Sequence, residues 1–221
     1  VHDYLNQYGG GERVLETLME MFPEAPIYTI LYDEKKTHGR FQNRIAQTSF
    51  LDFGLAKDNH RFFIPLMPAA IGTMKIDDSY DLIISDTAGY AKGIRYGKNT
   101  KHISYIHTPL RYAWEEDYLN FQFSRHHFIN FLNAGPRLWR WQFWKVLLKP
   151  VLSYLKNWDY KAGQKPDILI ANSDFIAGKI KKYYGREARV IYPPVDTKKF
   201  FTEPKSYIQN PKSSYYLAVG R

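Results

Sequence analysis

The chain has 221 residues, enough for one large domain or one domain and part of another, and its 44% hydrophobic and 24% charged content excludes a disordered polymer. It contains no cysteine, which excludes disulfides and thiolate metal sites, and no apolar run approaches the roughly 20 residues of a membrane-spanning helix. The net charge of +9 favours polyanionic partners: nucleic acid, an anionic membrane surface or phosphate-bearing ligands.

In chain order, short β-rich runs alternate with helical patterns, as in parallel βαβ units. Residues 1–5 end a strand and residues 6–11 turn. Residues 12–22 form a helix, with Val14, Leu15, Leu18, Met21 and Phe22 on an apolar stripe. Pro23 stops that helix, and residues 25–32 read as the next strand. Residues 45–51 suggest a strand, and residues 59–71 a helix interrupted by prolines. Residues 81–85 (DLIIS) and 101–106 (KHISYI) are buried strands, and residues 111–160 are mostly helical. The last unit is the cleanest. Residues 167–171 (DILIA) form a strand, Ser173 caps a helix over residues 175–184, Gly185 ends it, and residues 188–192 form another strand. Pro193 and Pro194 break regular structure. The chain opens inside a strand pattern and closes on a strand running into a Gly turn. It therefore reads as a piece of a longer protein: a domain over 1–195, then a linker and the first strand of a second domain over 196–221.

Four motifs carry chemistry. Gly9-Gly10-Gly11-Glu12 lies between a strand and a helix, where backbone N–H groups and the helix dipole favour a diphosphate. The alternative is a tight turn with no ligand, and the pattern is not the GxGxxG dinucleotide fingerprint. His107, Arg111 and Tyr112 follow the strand ending at Ile106, beyond whose carboxyl end ligands bind in open α/β sheets. A His bonded to a backbone carbonyl is the competing account. Asn172 and Ser173 follow the next strand and serve either a sugar or the helix cap. Residues 121–161 carry seven basic residues, including Arg137, Arg140 and Lys145, against Asp159 alone. Among them stand many aromatics, including Trp139, Trp141 and Trp144. That mixture suits an interfacial segment on an anionic bilayer, single-stranded nucleic acid, or a helical hairpin with its rings in the core. His126 and His127 are adjacent and diverge, so no metal site is expected.

Taken in order, VHDYLNQYGGGERVLE, SYIHTPLRYAWE, ILIANSDFIAGKIKKYYG, VIYPPVD and YLAVGR resemble retaining glycosyltransferases of family 4. The likeness is to the bacterial mannosyltransferase-like branch that builds surface polysaccharides. The resemblance implies an α/β, Rossmann-like parallel sheet flanked by helices, the N-terminal half of a GT-B two-domain fold. It also implies a nucleotide-sugar donor, a glycan or lipid-diphosphate-linked acceptor, and no metal or other cofactor. By the same resemblance Gly10 and Gly11 would face the donor diphosphate, His107 the transferring sugar, and Arg221 would open the donor-phosphate site. Arg111, Tyr112, Asn172 and Ser173 are candidates for the acceptor or sugar. The expected location is cytoplasmic and peripheral at the inner face of the membrane, with Arg137, Trp139, Arg140, Trp141, Trp144 and Lys145 at the interface. The chain without a donor-binding half should transfer no sugar. Two other readings remain open: a nucleic-acid-binding protein using the basic, aromatic region, and a sugar-binding GT-B half without catalysis. The first leaves the strand-end loops without a role.

Overall fold

The computed structural model describes residues 1–115, 137–195 and 197, and for residues 137–148 the course of the helix only. Its centre is a parallel sheet of seven strands: β1 (His2–Leu5), β2 (Ile27–Tyr32), β3 (Ile45–Thr48), β4 (Leu82–Thr87), β5 (Lys101–Ile106), β6 (Ile168–Ala171) and β7 (Arg189–Val190). The spatial order is β3-β2-β1-β4-β5-β6-β7. The chain therefore winds outward from β1 to β3, returns, and winds outward again from β4. The switch point lies between β1 and β4, where His2 is in register with Asp86.

Helices follow the strands: α1 (Gly10–Met21), α2 (Gly54–Asp58), α3 (Met67–Thr73), α4 (Arg111–Trp114), α5 (Arg137–Gly163) and α6 (Asp174–Tyr184). Leu15 of α1 packs with Leu5, Ile27 and Phe41. Ala70 and Ile71 of α3 and Leu155 of α5 pack with Ile30 and Ile83. Ile176 and Ile180 of α6 cover Ile106, Leu169 and Ala171. Each cluster joins a helix stripe to strand side chains, which removes the apolar stripe of both from water.

Local chemistry sets the boundaries. Ser173 Oγ accepts the N–H of Ile176 at 3.4 Å, and Gly185 closes α6 at φ 67°, a left-handed conformation that glycine reaches without a Cβ penalty. Residues 59–71 are not one helix. A 3₁₀ segment, His60–Leu66, contains Pro65 and hands over to α3, where Pro68 sits in the first turn and needs no N–H partner. The third strand stops at Thr48 because Ser49 turns inward, its hydroxyl donating to the Ile30 carbonyl at 2.8 Å. The fourth strand is longer than its apolar run: Asp86 and Thr87 continue it, both buried.

The described half of α5 corrects one expectation. Leu155 is buried, and the Trp158 ring lies 5.5 Å from that of Tyr90. Asp159, read from sequence as the one acid of a basic surface, is fully buried beside Lys92. This stretch is core because its buried positions recur at three- and four-residue spacing against the sheet.

Candidate functional site

The carboxyl ends of β1, β4 and β5 meet the start of α1 around a cleft of about 640 Å³. Asn6, Gly10, His60, Arg61, His107 and Arg111 line it, together with Tyr112 and Asn172. A second cavity, about 350 Å³, lies under α1 against Leu15, Leu18, Phe22, Ile76 and Ile84. It is apolar and sits at the opposite ends of the strands, whereas the first is lined by titratable side chains.

The floor of the cleft is a line of ionisable groups. Asp86, buried at the end of β4, bonds His107 Nε2 through Oδ1 at 2.6 Å and His2 Nδ1 through Oδ2 at 3.0 Å. The other ring nitrogen of His2 lies 3.9 Å from Glu12. Glu12 in turn accepts the N–H of Gly9 at 2.7 Å, closing the start of α1. Burial alone would lower the His2 pKa, but the Asp86 hydrogen bond and the Glu12 carboxylate override it and raise it to about 9. Burial would likewise raise Asp86, but the His107 and His2 hydrogen bonds hold it down at about 2. His2, itself in the cleft's lining, is thus held as a salt-bridged imidazolium, with Asp86 between it and His107.

Asp3 of β1 fixes the adjoining loop. Its Oδ1 accepts from Thr87 Oγ1 at 2.9 Å, Tyr90 N at 2.9 Å and Ala91 N at 2.6 Å, and its Oδ2 accepts from Ala88 N at 2.6 Å. One carboxylate thus ties the loop after β4 to β1 across the switch point. On the far wall Asn6 Nδ2 donates to the Lys57 carbonyl at 3.0 Å and lies 3.1 Å from His60 Nδ1. An amide donor there makes Nδ1 the acceptor, which leaves the proton on Nε2. Burial, then the charges of Arg61 and Lys36, lower the His60 pKa to about 4, so at neutral pH this imidazole is uncharged.

Several residues expected from sequence come together here. Gly10 faces open space, as a ligand-approach position should. Gly11 does not: a Cβ there would lie 3.5 Å from His107 Nε2 and 3.7 Å from His2 Cε1. Both are ordinary van der Waals distances, so a methyl group would fit beside the two imidazoles. His107 bonds neither a carbonyl nor solvent alone; its ring partner is Asp86. Arg111 and Tyr112 line the cleft, while Asn172 holds the loop by donating to the His107 carbonyl at 3.3 Å. Ser173 is occupied with the α6 cap and with Asn172 Oδ1 at 3.0 Å. Arg221 lies outside the described residues, as do the side chains of Arg137, Trp139, Arg140, Trp141, Trp144 and Lys145.

Sequence reading missed His2, Asp3, Asp86 and His60. Their signal was polarity inside strand or helix patterns, next to strand carboxyl ends. His102 shows why that signal is weak. It is equally buried in β5, yet its nitrogens lie 2.8 Å from Ser85 Oγ and 3.2 Å from Tyr96 OH, wholly inside the core.

The linkage gives a test. A cation whose folded pKa is about 9, against 6.5 ordinarily, adds stability that is complete below pH 6.5 and lost as pH rises through 9. His2 ¹⁵N imidazole shifts should therefore report a charged ring at pH 8. Asp86→Asn should return the titration toward the ordinary range; a neutral His2 at pH 8 in the unaltered protein would contradict this.

A doubly wound parallel sheet with a polar cleft at its switch point defines a Rossmann-like α/β protein. The family model described as Glycosyltransferase Family 4 matches residues 8–199, most of the chain, and the chain belongs to that family. Its function is accordingly of the glycosyltransferase kind, with a sugar donor and an acceptor as partners. No curated protein and no solved structure matches it.

Proposed function

We propose that this chain is the acceptor-side half of a retaining GT-B enzyme, with residues 1–195 as its domain and the donor-binding half beyond. It moves a hexose, mannose in the first instance, from a nucleotide sugar to a glycan or lipid-diphosphate-linked acceptor. The observation that carries this reading is His107, held by Asp86 at the lip of the switch-point cleft, opposite the start of α1. Glycosyl transfer develops positive charge on the sugar while the diphosphate leaves. The Asp86 carboxylate behind His107 strengthens the imidazole as a hydrogen-bond partner for a sugar hydroxyl. First-turn N–H groups at Gly10, which have no intrahelical partner, serve the diphosphate, as do Arg61 and Arg111 at the rim. Neither role needs a metal, and no metal is part of the reading.

Attachment at the inner membrane face belongs to the same proposal. The attachment proposed is interfacial; among the described residues no helix is long and apolar enough to cross a membrane.

The test is turnover by a protein that joins this chain to its donor-binding half. With a lipid-diphosphate-linked acceptor it should consume a nucleotide mannose and form a bond of unchanged anomeric configuration, read by NMR. Inversion would refute the retaining mechanism, and absence of turnover across a panel of nucleotide sugars would refute the enzyme.

A further inference from the structure

We infer that Glu12 and His2 are positioning residues for His107. Together they keep the positive charge beside Asp86 on His2, so that His107 stays neutral and its Nδ1 accepts a hydrogen bond from a ligand hydroxyl. The first observation is that one buried carboxylate serves two imidazoles. Asp86 Oδ2 meets His2 Nδ1 at 3.0 Å, and Oδ1 meets His107 Nε2 at 2.6 Å. An ionised carboxylate only accepts, so each of those nitrogens carries a hydrogen. The two rings differ in what lies on their far side. For His2 it is a second carboxylate, with Glu12 Oε1 3.9 Å from Nε2. A hydrogen on that nitrogen as well makes His2 the imidazolium. His107 Nδ1 has no hydrogen-bond partner among the described residues, and His107 is the more exposed of the two side chains, at 17% against 6%. Protonating it too would set two cations on one carboxylate, and their mutual repulsion disfavours that.

The second observation is how Glu12 divides its oxygens. Oε2 accepts the Gly9 N–H at 2.7 Å and closes the start of α1, while Oε1 faces His2. The cap needs no charge, because Gln serves at this position as Glu does. The His2 cation does need one. The other ionisable groups nearby act in the same direction or not at all. The Asp3 charge favours the His2 cation. Arg111 lines the same cleft as His107, so a second cation there gains nothing. The Tyr105 ring lies 5.3 Å from that of His107, and burial pushes its phenol up to about 12, so it is neutral. Burial lowers the Val1 amine, which donates to the Ile84 carbonyl, to about 6.

This rests on the reading of His107 as a partner of the reacting sugar, and adds its polarity: the ring accepts and the sugar donates. A neutral ring beside a sugar that turns cationic avoids a like-charge repulsion that an imidazolium would impose. The proton positions are read without catalysis, from ¹⁵N shifts of the histidine rings in this chain at pH 7.5. His2 should carry hydrogens on both nitrogens and His107 on Nε2 alone. In Glu12→Gln the amide oxygen keeps the cap and the amide N–H₂ meets His2 Nε2, which must then accept. His2 should lose its charge, and His107 should gain a hydrogen on Nδ1 as the remaining cation for Asp86. In an enzyme with its donor-binding half, the same variant should lower kcat by roughly tenfold, with KM little changed. A His107 ring protonated on Nδ1 in the unaltered protein overturns the proposal, whether or not the variant folds. So does a Glu12→Gln variant whose two rings keep their original protons, including one that has lost turnover, since Glu12 would then serve the helix start alone. Protons that move as stated while turnover stays normal would refute the part given to His107 in sugar transfer and leave the proton assignment standing.

Discussion

Asp159→Ala should destabilise the protein by about 3–5 kcal/mol, the scale of a buried ion pair stripped of one partner. Asp159 and Lys92 are both fully buried, with Oδ1 and Nζ 2.6 Å apart. Lys92 also donates to the Gly89 carbonyl, and its ammonium lies 5.9 Å from the Trp158 ring and 5.8 Å from that of Tyr184. The other carboxylate oxygen accepts from Trp114 Nε1 at 2.7 Å, Tyr184 OH at 2.8 Å and Leu110 N at 3.4 Å. One side chain on α5 therefore joins α4, α6, the loop after β4 and the loop that carries His107. Removing it leaves an unpaired ammonium in the core and three donors without an acceptor. Urea unfolding followed by far-UV circular dichroism would measure the loss. The double variant Lys92→Met, Asp159→Ala should recover part of it, since no charge is then left buried. A cost under about 1 kcal/mol for Asp159→Ala would show that water reaches the site, against the burial described.

In an enzyme with its donor-binding half, His107→Ala should lower kcat by on the order of 10²-fold or more, with the fold intact. The ring sits just beyond β5 with one edge on Asp86, and it lines the cleft. If His107 meets the reacting sugar as proposed, truncation removes that partner without opening the core. Asp86→Asn should fall between this variant and the unaltered enzyme, at roughly tenfold, because the amide keeps the volume and loses the charge that orients the imidazole. The loss should appear in kcat rather than KM if the contact tightens as the sugar becomes cationic. His107→Gln should restore little, since it keeps a donor but not the Asp86 pairing. Near-normal turnover by His107→Ala would return His107 to a structural role.

Sequence determined the periodic features. Alternating short apolar runs and amphipathic helices were enough for a parallel Rossmann-like sheet, because such strands are buried on both faces and read as continuous apolar runs. The cap at Ser173 and the stop at Gly185 were legible because they depend on neighbours in sequence. Glycines at the start of α1 and a His past β5 were legible as positions. What those residues touch was not. His2 and Asp86 are 84 residues apart and become partners only because the chain reverses its winding between β1 and β4. Asp159 looked like one acid among surface bases, since periodicity cannot show that Lys92 waits 67 positions upstream in the core. The exposed row at Phe50, Leu55, Phe62 and Leu66 was equally hidden. A broken, proline-containing apolar stretch has no single period, so only the packing separates Phe63 and Ile64, which turn inward, from Leu55 and Leu66, which do not.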